Sequence, residues 1–274
     1  MSQNVAMALG TVLIVGGGNM GQAICSGLLR IEGMDPKRIT VANPGEQKRK
    51  AIEAQYGVRT VADAAAGLPA QTIIIAVKPN CVAQVARTIA AALDGASLVI
   101  SIAAGISTDF LAEILGNKLP IVRVMPNTPL MCGYGMSAVS GGAHATSEDC
   151  KLVCEVFSAM GDAVIVDEDK QDIVTALSGS GPAYFELMLE TMAREGEKLG
   201  LDYKTSLELS LKTMHGTAAM LDQTHQDLNE AIDAVSSPGG TTVAALDAMR
   251  KAGMVDAVES GVAAAAKRSK ELGC

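Results

Sequence analysis

Three glycines near the start of the chain have the spacing of a phosphate-binding turn. They are Gly16, Gly18 and Gly21, and they follow the apolar run Thr11–Val15. Glycines at this spacing permit a tight turn, a close approach of the backbone to a pyrophosphate, and close packing of a helix on a strand. A helical pattern begins at about Asn19, and a helix N-terminus offers N–H donors to phosphates. The motif predicts a dinucleotide site; the alternative is a glycine-rich turn without a ligand.

The end of the second predicted strand indicates which dinucleotide fits. An Asp or Glu about 20 residues after the glycines binds the ribose 2′-hydroxyl of NAD in folds of this kind. Asn43 occupies that place here, so no carboxylate repels a 2′-phosphate. Lys48, Arg49 and Lys50 follow in the next helical segment and could reach such a phosphate. We therefore expect a preference for NADPH over NADH; the alternative is that these cations are only a solvated helix face.

Other predicted strands also end in small or polar residues. Val77, Lys78 and Pro79 close one strand, and ligands of parallel sheets bind at such carboxyl ends. Ser101–Gly105 ends another strand, and its small residues would let a nicotinamide lie against the backbone. Arg123–Pro129 ends a third strand with a rigid, polar turn.

Two loops in the second half of the chain combine glycine, proline and hydroxyl side chains. Ser178–Tyr184 precedes a long helical pattern, and Val235–Thr242 lies between two others. The second loop offers clustered hydroxyls, a Gly-Gly turn and a helix N-terminus, which together suit a small anion such as a carboxylate. The alternative is an ordinary helix cap, which Ser and Thr form routinely.

The elements that position these residues alternate between strand and helix in the first part of the chain. Strands such as Thr72–Val77 and Ser97–Ile102 are almost wholly apolar, which is typical of parallel strands covered on both faces. Right-handed crossovers then give a doubly wound α/β domain of the Rossmann type. No convincing strand follows Asp167. We expect an N-terminal dinucleotide-binding domain at 1–167 and an all-helical domain at 168–274.

The helical domain is small and poor in aromatic side chains. Apolar helices such as Phe185–Met192 need more burial than a small isolated bundle offers. We expect a homodimer formed through these helices; the alternative is a self-sufficient bundle.

Composition excludes several classes of function. Hydrophobic residues make up 49% and charged residues 19%, which is typical of a globular protein. The formal net charge is −8, whereas proteins that bind nucleic acids or anionic membranes are usually basic. No signal-like segment begins the chain and no apolar stretch is long enough for a bilayer, so we expect a cytoplasmic protein. The six cysteines lack metal-ligand spacing, which predicts reduced thiols and no metal site.

The motifs, taken together, resemble the pyrroline-5-carboxylate reductase family over essentially the whole chain. They are Gly16–Gly21 (GGGNMG), Val77–Pro79 (VKP), Met125–Pro129 (MPNTP), Gly179–Tyr184 (GSGPAY) and Ser237–Thr242 (SPGGTT). The resemblance implies the last step of proline biosynthesis, the NAD(P)H-dependent reduction of 1-pyrroline-5-carboxylate to L-proline. It also implies a helical dimerisation domain and an active site near the dimer interface. Some members of the family assemble further as rings of dimers.

The resemblance also implies roles for individual residues. The cofactor-binding residues are Gly16, Gly17, Gly18, Asn19, Met20 and Gly21 at the pyrophosphate, Asn43 at the adenosine ribose, and Ala76, Val77, Lys78, Pro79, Ala103 and Ala104 at the nicotinamide. The substrate-binding residues are Ser237 and the backbone of Gly240 and Thr241, which would bind the carboxylate. The catalytic residue is Thr242, whose hydroxyl would form a hydrogen bond with the ring nitrogen. Two positions depart from the family pattern. Ala234 stands where some members have an Asn that helps the cofactor, and Pro44 leaves the 2′-phosphate contact open.

No obvious catalytic dyad accompanies these motifs. The three histidines, His144, His215 and His225, lie outside the motifs that end sheet strands. The nitrogen of a cyclic imine is basic and can be protonated before hydride arrives, so positioning of the reactants is the main requirement.

Two rival classes of protein are left open by the sequence. A hydroxyacid dehydrogenase of the same two-domain plan usually carries a Lys on the long interdomain helix, and Tyr184–Met192 contains none. A nucleotide-binding scaffold without activity would tolerate loss of the hydroxyls in Ser237–Thr242, which are intact here.

Overall fold

The computed structural model describes residues 2–93, 97–116 and 118–272. The strands of these residues are β1 (Val12–Val15), β2 (Ile39–Ala42), β3 (Arg59–Val61), β4 (Thr72–Ile75), β5 (Leu98–Ser101), β6 (Ile121–Pro126), β7 (Gly135–Gly141) and β8 (Gly161–Ile165). The helices are α1 (Ser2–Leu9), α2 (Asn19–Leu28), α3 (Glu46–Tyr56), α4 (Pro79–Ala92), α5 (Thr108–Leu115), α6 (Ser147–Ser158), α7 (Gln171–Val174), α8 (Gly181–Lys198), α9 (Tyr203–Thr224), α10 (Leu228–Ala234), α11 (Thr241–Lys251) and α12 (Met254–Leu272).

The strands form one eight-stranded sheet in the order β3-β2-β1-β4-β5-β6-β7-β8. All neighbours run parallel except β6 and β7, which are antiparallel. The chain turns from one half of the sheet to the other between β1 and β4, and such a switch point opens a crevice at the carboxyl ends of the strands. The prediction of a doubly wound, Rossmann-type α/β domain followed by a helical domain is confirmed.

Strand β7 is the antiparallel exception in the sheet that the sequence predicts to be parallel. It follows β6 through a short connection that contains the 3₁₀ turn Thr128–Cys132. A parallel return requires a crossover of a dozen or more residues, so this connection allows only the antiparallel pairing.

Strands β1, β4 and β5 are buried along their whole length, and their side chains alternate between two cores. Ile14 and Ile74 pack into the core that also contains Phe157 of α6. Leu13 and Ile73 pack into the second core, together with side chains of α4. A fully buried Leu or Ile stabilises a fold by about 1.5–3 kcal/mol. A shift of register by one residue would exchange the two sets, so burial fixes the position of the strand ends.

The structure contains two elements, β3 and α1, that the sequence pattern does not predict. Strand β3 has three residues at the sheet edge, and its first residue, Arg59, is exposed. The strand is too short and too polar to form an apolar run that the sequence pattern would reveal. Helix α1 precedes the first strand, and its apolar residues join the first core. Between Glu168 and Gly179 the chain forms a 3₁₀ turn, the short α7 and a π-helical turn at Thr175–Gly179.

The described residues up to Ser180, together with those from Ala265 onward, form one compact unit. This unit extends beyond the expected boundary at Asp167. Gly181–Ala264 form a second compact unit whose described elements are all helices. Many large apolar side chains on these helices are exposed, among them Phe185, Leu187, Leu209, Leu228 and Val258.

The cysteines of the described residues are free. Cys274, which we also expect to be reduced, lies outside the described residues. Burial raises the pKa of Cys25 to about 12. Among the described side chains, no group of three or more His, Cys, Asp or Glu could hold a metal ion. None of the described helices is long and apolar enough to cross a membrane.

Candidate functional site

The glycine turn joins β1 to α2 and is packed tightly against its neighbours. Gly16 has a φ of +116°, a conformation that glycine adopts without strain. A Cβ at Gly16 would lie 2.3 Å from the carbonyl oxygen of Ala76, at the end of β4. A Cβ at Gly21 would lie 1.9 Å from the carbonyl oxygen of Gly16. Neither position can accept a side chain without movement of the backbone.

The N-terminus of α2 is open beside this turn. Gly18 is its N-cap, and no atom outside its chain neighbours lies within 4 Å of where a Cβ would be. The N–H groups of Asn19 and Met20 lie in the first helical turn and have no intrahelical acceptor. Free N–H groups, the positive end of the helix dipole and an absent side chain suit a pyrophosphate. The chain therefore fits a dinucleotide at Gly16–Gly21.

Asn43 lies at the carboxyl end of β2, directly beside the glycine turn. Its side-chain oxygen accepts a hydrogen bond from the N–H of Gly17 at 3.3 Å, and its amide nitrogen donates to the carbonyl of Gly45 at 3.4 Å. The guanidinium of Arg49 donates to the carbonyl oxygens of Asn43 and Pro44 at 2.9 and 2.7 Å. Arg49 therefore holds the shape of this loop.

The three cations expected near the ribose differ in their surroundings. Arg49 is committed to the loop carbonyls, and Lys50 pairs with Glu46 at 2.7 Å on the exposed face of α3. Lys48 is exposed and makes no hydrogen bond or ion pair with the described residues. Lys48 is thus the cation that can meet a phosphate without losing another partner.

A cavity of about 340 Å³ runs along the carboxyl ends of β1, β2 and β3. Gly16 and Asn43, both expected at a cofactor, lie in its wall. Three polar residues that the sequence motifs do not indicate, Asp63, Gln84 and Thr88, also line it. Asp63 follows β3, the strand that the sequence pattern does not reveal. A prediction of β3 would have indicated Asp63, because residues that follow a parallel strand lie at the carboxyl edge of the sheet.

The turns after β4 and β5 lie on the other side of the switch point. Ala76–Pro79 follows β4, and Ala103–Ala104 follows β5. The N–H of Ile102 donates to the carbonyl oxygen of Ile75 at 3.1 Å, which continues the pairing of the two strands to their ends. Lys78 is exposed and is the N-cap of α4. The structure therefore brings the expected nicotinamide-side residues to adjoining strand ends.

The segment before α8 packs against the motif that ends β6. A Cβ at Gly179 would lie 2.4 Å from Cε of Met125, so a larger residue would displace that side chain. The π-helical turn that contains Gly179 therefore lies directly on the Met125–Pro129 motif.

Arg123 lies within β6 and is buried, with two half-buried carboxylates beside it. Its guanidinium nitrogens lie 3.5 Å from a carboxylate oxygen of Glu168 and 3.9 Å from one of Asp172. Glu168 also accepts hydrogen bonds from the backbone N–H and the hydroxyl of Thr108, and Asp172 accepts one from Ser269 at 2.7 Å. A buried cation requires such compensation. These contacts tie β6 to α5 and to the end of α12.

The loop before α11, within the second compact unit, holds the expected substrate residues. Gly239 has a φ of +70°, Gly240 is the N-cap of α11, and the N–H of Gly240 donates to the carbonyl of Ser237 at 2.9 Å. Ser237 and Thr241 are exposed, and Thr242 is half-buried. Their hydroxyls make no hydrogen bond with the described residues. A turn of free hydroxyls at a helix N-terminus can bind a small anion.

A Rossmann unit with a glycine turn at the switch point of its sheet, followed by an all-helical unit, is the plan of a class of nicotinamide-dependent reductases. Comparisons with known proteins agree with this class. Residues 11–105 match the family model described as NADP oxidoreductase, coenzyme F420-dependent. Residues 168–272 match the model described as pyrroline-5-carboxylate reductase dimerisation.

Relatives cover almost the whole chain. The chain is 38% identical to the pyrroline-5-carboxylate reductase of Corynebacterium melassecola, over 96% of this chain and 98% of that protein. The structure of a pyrroline-5-carboxylate reductase from Coxiella burnetii matches with a TM-score of 0.89 at 33% identity, over 97% and 99% of the two chains. That of Plasmodium falciparum pyrroline carboxylate reductase with NADP bound matches with a TM-score of 0.86 at 28% identity, over 97% and 99%.

The chain belongs to the pyrroline-5-carboxylate reductase family, as its motifs predict. It is an NAD(P)H-dependent oxidoreductase. The dimerisation-domain match supports a homo-oligomer.

Proposed function

We propose that this chain reduces 1-pyrroline-5-carboxylate to L-proline, the last step of proline biosynthesis. The cofactor belongs to the compact unit that reaches Ser180, and the dimer contact and the substrate belong to the helical unit that begins at Gly181. The observation that carries the proposal is the pairing of two anion sites on one chain. One is the glycine turn at the sheet's switch point, and the other is the hydroxyl-rich turn before α11.

The cofactor half of the proposal rests on the crevice beside β1. Gly16–Gly21 would hold the pyrophosphate, Asn43 the adenosine ribose, and Ala76–Pro79 with Ala103–Ala104 the nicotinamide. When bound, the nicotinamide supplies the hydride. NADPH is the preferred form because the loop after β2 carries Asn43 and no carboxylate.

The substrate half rests on the turn that precedes α11. The hydroxyl of Ser237 and the backbone N–H groups of Gly240 and Thr241 would hold the carboxylate, and the hydroxyl of Thr242 would meet the ring nitrogen. The imine nitrogen is basic, so it can take its proton from solvent before reduction. Thr242 then orients the ring through one hydrogen bond, and the carboxylate anchor fixes the carbon that is reduced.

A homodimer is the smallest assembly that we propose. The apolar side chains exposed on α8 and α9 need a cover, and a cavity of about 500 Å³ lined by side chains such as Leu187, Met192 and Met249 lies within the helical unit. A ring of dimers is the larger form that the family resemblance allows. Free thiols on the described cysteines accord with the cytoplasm. We propose no nucleic acid or membrane among the partners, given the net charge of −8.

A turnover assay tests the proposal directly. Loss of NADPH and NADH absorbance is measured with 1-pyrroline-5-carboxylate as substrate, and the product is identified as proline by mass spectrometry. Turnover with a larger kcat/KM for NADPH is the expected result. A dimeric sample that binds NADPH but leaves the imine unreduced would point to a different substrate. A hydroxyacid in the reverse direction is the control for the rival dehydrogenase.

A further inference from the structure

The cavity beside the glycine turn has one end that the family motifs do not cover. Strand order places β1, β2 and β3 on one side of the switch point and β4 and β5 on the other. The proposed nicotinamide residues follow β4 and β5, so the adenosine half of a dinucleotide must extend over β2 and β3. The cavity wall at that end is formed by the turn after β3 and by one face of α4.

That end of the cavity is lined by apolar side chains from two elements and by polar residues beside them. Ala62 and Ala64 lie in the turn after β3, and Val85 faces the cavity from α4. Small and branched apolar side chains on two sides can hold a planar heterocycle between them. The acidic member of the wall is Asp63, and Gln84 is a neutral polar member on α4.

The carboxylate of Asp63 is held in place by one of its oxygens. Oδ1 accepts a hydrogen bond from the backbone N–H of Ala66 at 2.9 Å, where a short 3₁₀ turn follows. Oδ2 makes no hydrogen bond or ion pair with the described residues. A carboxylate fixed in this way presents one free acceptor to a ligand and has no N–H or O–H to donate.

We propose that Asp63 selects the adenine base of the cofactor, with Oδ2 accepting a hydrogen bond from the exocyclic 6-amino group. A 6-amino purine offers N–H at this edge, whereas a 6-oxo purine offers a carbonyl oxygen that an ionised carboxylate repels. Asp63 is therefore a specificity-determining residue for the base. This inference rests on the proposed binding of the dinucleotide at Gly16–Gly21.

Isothermal titration calorimetry with NADPH and with its deamino analogue, which carries hypoxanthine in place of adenine, tests the proposal without turnover. The parent should bind NADPH about three- to tenfold more tightly than the analogue, since a hydrogen bond to a charged but exposed carboxylate is lost. In Asp63→Asn, Oδ1 still accepts from Ala66, and the new amide N–H can donate to the 6-oxo group. The preference should fall to near unity or invert.

Glu53→Gln is the matched control, because Glu53 is an exposed carboxylate near β3 that bonds to Thr60 rather than lining the cavity. It should keep the parent's preference. Equal affinities of the parent for both ligands, or an unchanged ratio in Asp63→Asn, would overturn the inference. A change in the NADPH-to-NADH ratio alone would place Asp63 at the ribose and overturn it too. A parent that binds neither ligand would refute the proposed cofactor site itself, a distinguishable failure.

Discussion

The side-chain amide nitrogen of Asn127 donates a hydrogen bond to the hydroxyl of Ser178 at 3.2 Å. The amide oxygen of the same residue accepts the backbone N–H of Met136 at 2.9 Å. Asn127 directly follows β6, Met136 belongs to β7, and Ser178 lies in the π-helical turn before α8. One half-buried side chain thus joins two motifs that are distant in the sequence.

We expect Asn127→Leu to destabilise the protein by about 2 kcal/mol. It leaves the N–H of Met136 without a partner and removes the bond to Ser178. Ser178→Ala removes only the second bond and should cost about 1 kcal/mol. Urea denaturation followed by circular dichroism measures both. If the two variants unfold with the parent's midpoint, the amide has no role in holding these segments.

Most of the fold could be predicted because buried parallel strands leave a strong signal. The runs at β1, β4 and β5 are apolar without interruption, since both faces are covered. Strand β3 carries no such signal because it has three residues at the sheet edge and none of them is buried. The direction of β7 depends on the length of the connection before it, which an apolar pattern does not encode.

The candidate site could be predicted where backbone geometry demands a residue type. Gly16 and Gly21 are required by contacts that exclude a side chain. Asp63 was not predictable, because an acidic residue in a loop has no distinctive neighbours in sequence. The commitment of Arg49 to backbone carbonyls also depends on how the loop folds, and only the structure gives it.

Two glycines of the turn should respond differently to the same added methyl group. Gly21→Ala places a Cβ against the carbonyl oxygen of Gly16, and overpacking of this kind costs about 1–3 kcal/mol. Gly18→Ala meets no protein atom, so the fold should keep its thermal midpoint. Its methyl group would stand where a pyrophosphate approaches, and NADPH affinity should fall about tenfold. Thermal unfolding and titration calorimetry measure the two effects; equal thermal midpoints for both variants would contradict the assigned contacts.

Thr242→Ala should lower kcat about tenfold or more while the thermal midpoint is kept. Its hydroxyl is half-buried and makes no hydrogen bond with the described residues, so the fold loses nothing when it is removed. The lost bond to the ring nitrogen is worth about 1.5–3 kcal/mol if that nitrogen is charged. Ser237→Ala should mainly raise the KM for the imine.

Thr241→Val is the control for these two variants. It keeps the backbone N–H that would bind the carboxylate and removes only an exposed hydroxyl. Its kinetics should equal those of the parent. Steady-state kinetics give kcat and KM for the imine in all three variants. A kcat and KM of Thr242→Ala identical to those of the parent would remove Thr242 from the site.

The cysteines should differ sharply in reactivity. Cys81 is exposed and lines the proposed cofactor cavity, so iodoacetamide should label it, and bound NADPH should slow that labelling. Cys25 is buried, with a pKa of about 12, and should stay unlabelled at pH 8. Peptide mass spectrometry reads both sites, with Cys81→Ser as the control. Labelling of Cys81 at the same rate with and without NADPH would place the cofactor elsewhere.

Burial of Cys25 also predicts a direction for stability at alkaline pH. Its pKa rises on folding from an ordinary value of 9.0 to about 12, so the folded state binds the proton more tightly. The contribution of Cys25 to the free energy of unfolding is fully present below pH 9. It is lost as the pH rises towards 12, by up to about 1.4 kcal/mol per pH unit. Cys25→Ala should show a smaller decline in the urea midpoint over that range.

Asn43→Asp should reverse the cofactor preference. Its retained side-chain oxygen can still accept the N–H of Gly17, so the glycine turn keeps its support. The new charge repels a 2′-phosphate and accepts a hydrogen bond from a 2′-hydroxyl. We expect kcat/KM for NADPH to fall at least about tenfold, while kcat/KM for NADH is kept or rises.

Lys48→Ala should weaken the binding of NADPH and leave that of NADH unchanged, because Lys48 is the exposed cation of α3 with no partner among the described residues. Lys50→Ala is its control, since Lys50 already pairs with Glu46. If Lys50→Ala lowered the affinity for NADPH as much as Lys48→Ala did, the 2′-phosphate would be attracted by the summed charge of α3 rather than bound by Lys48.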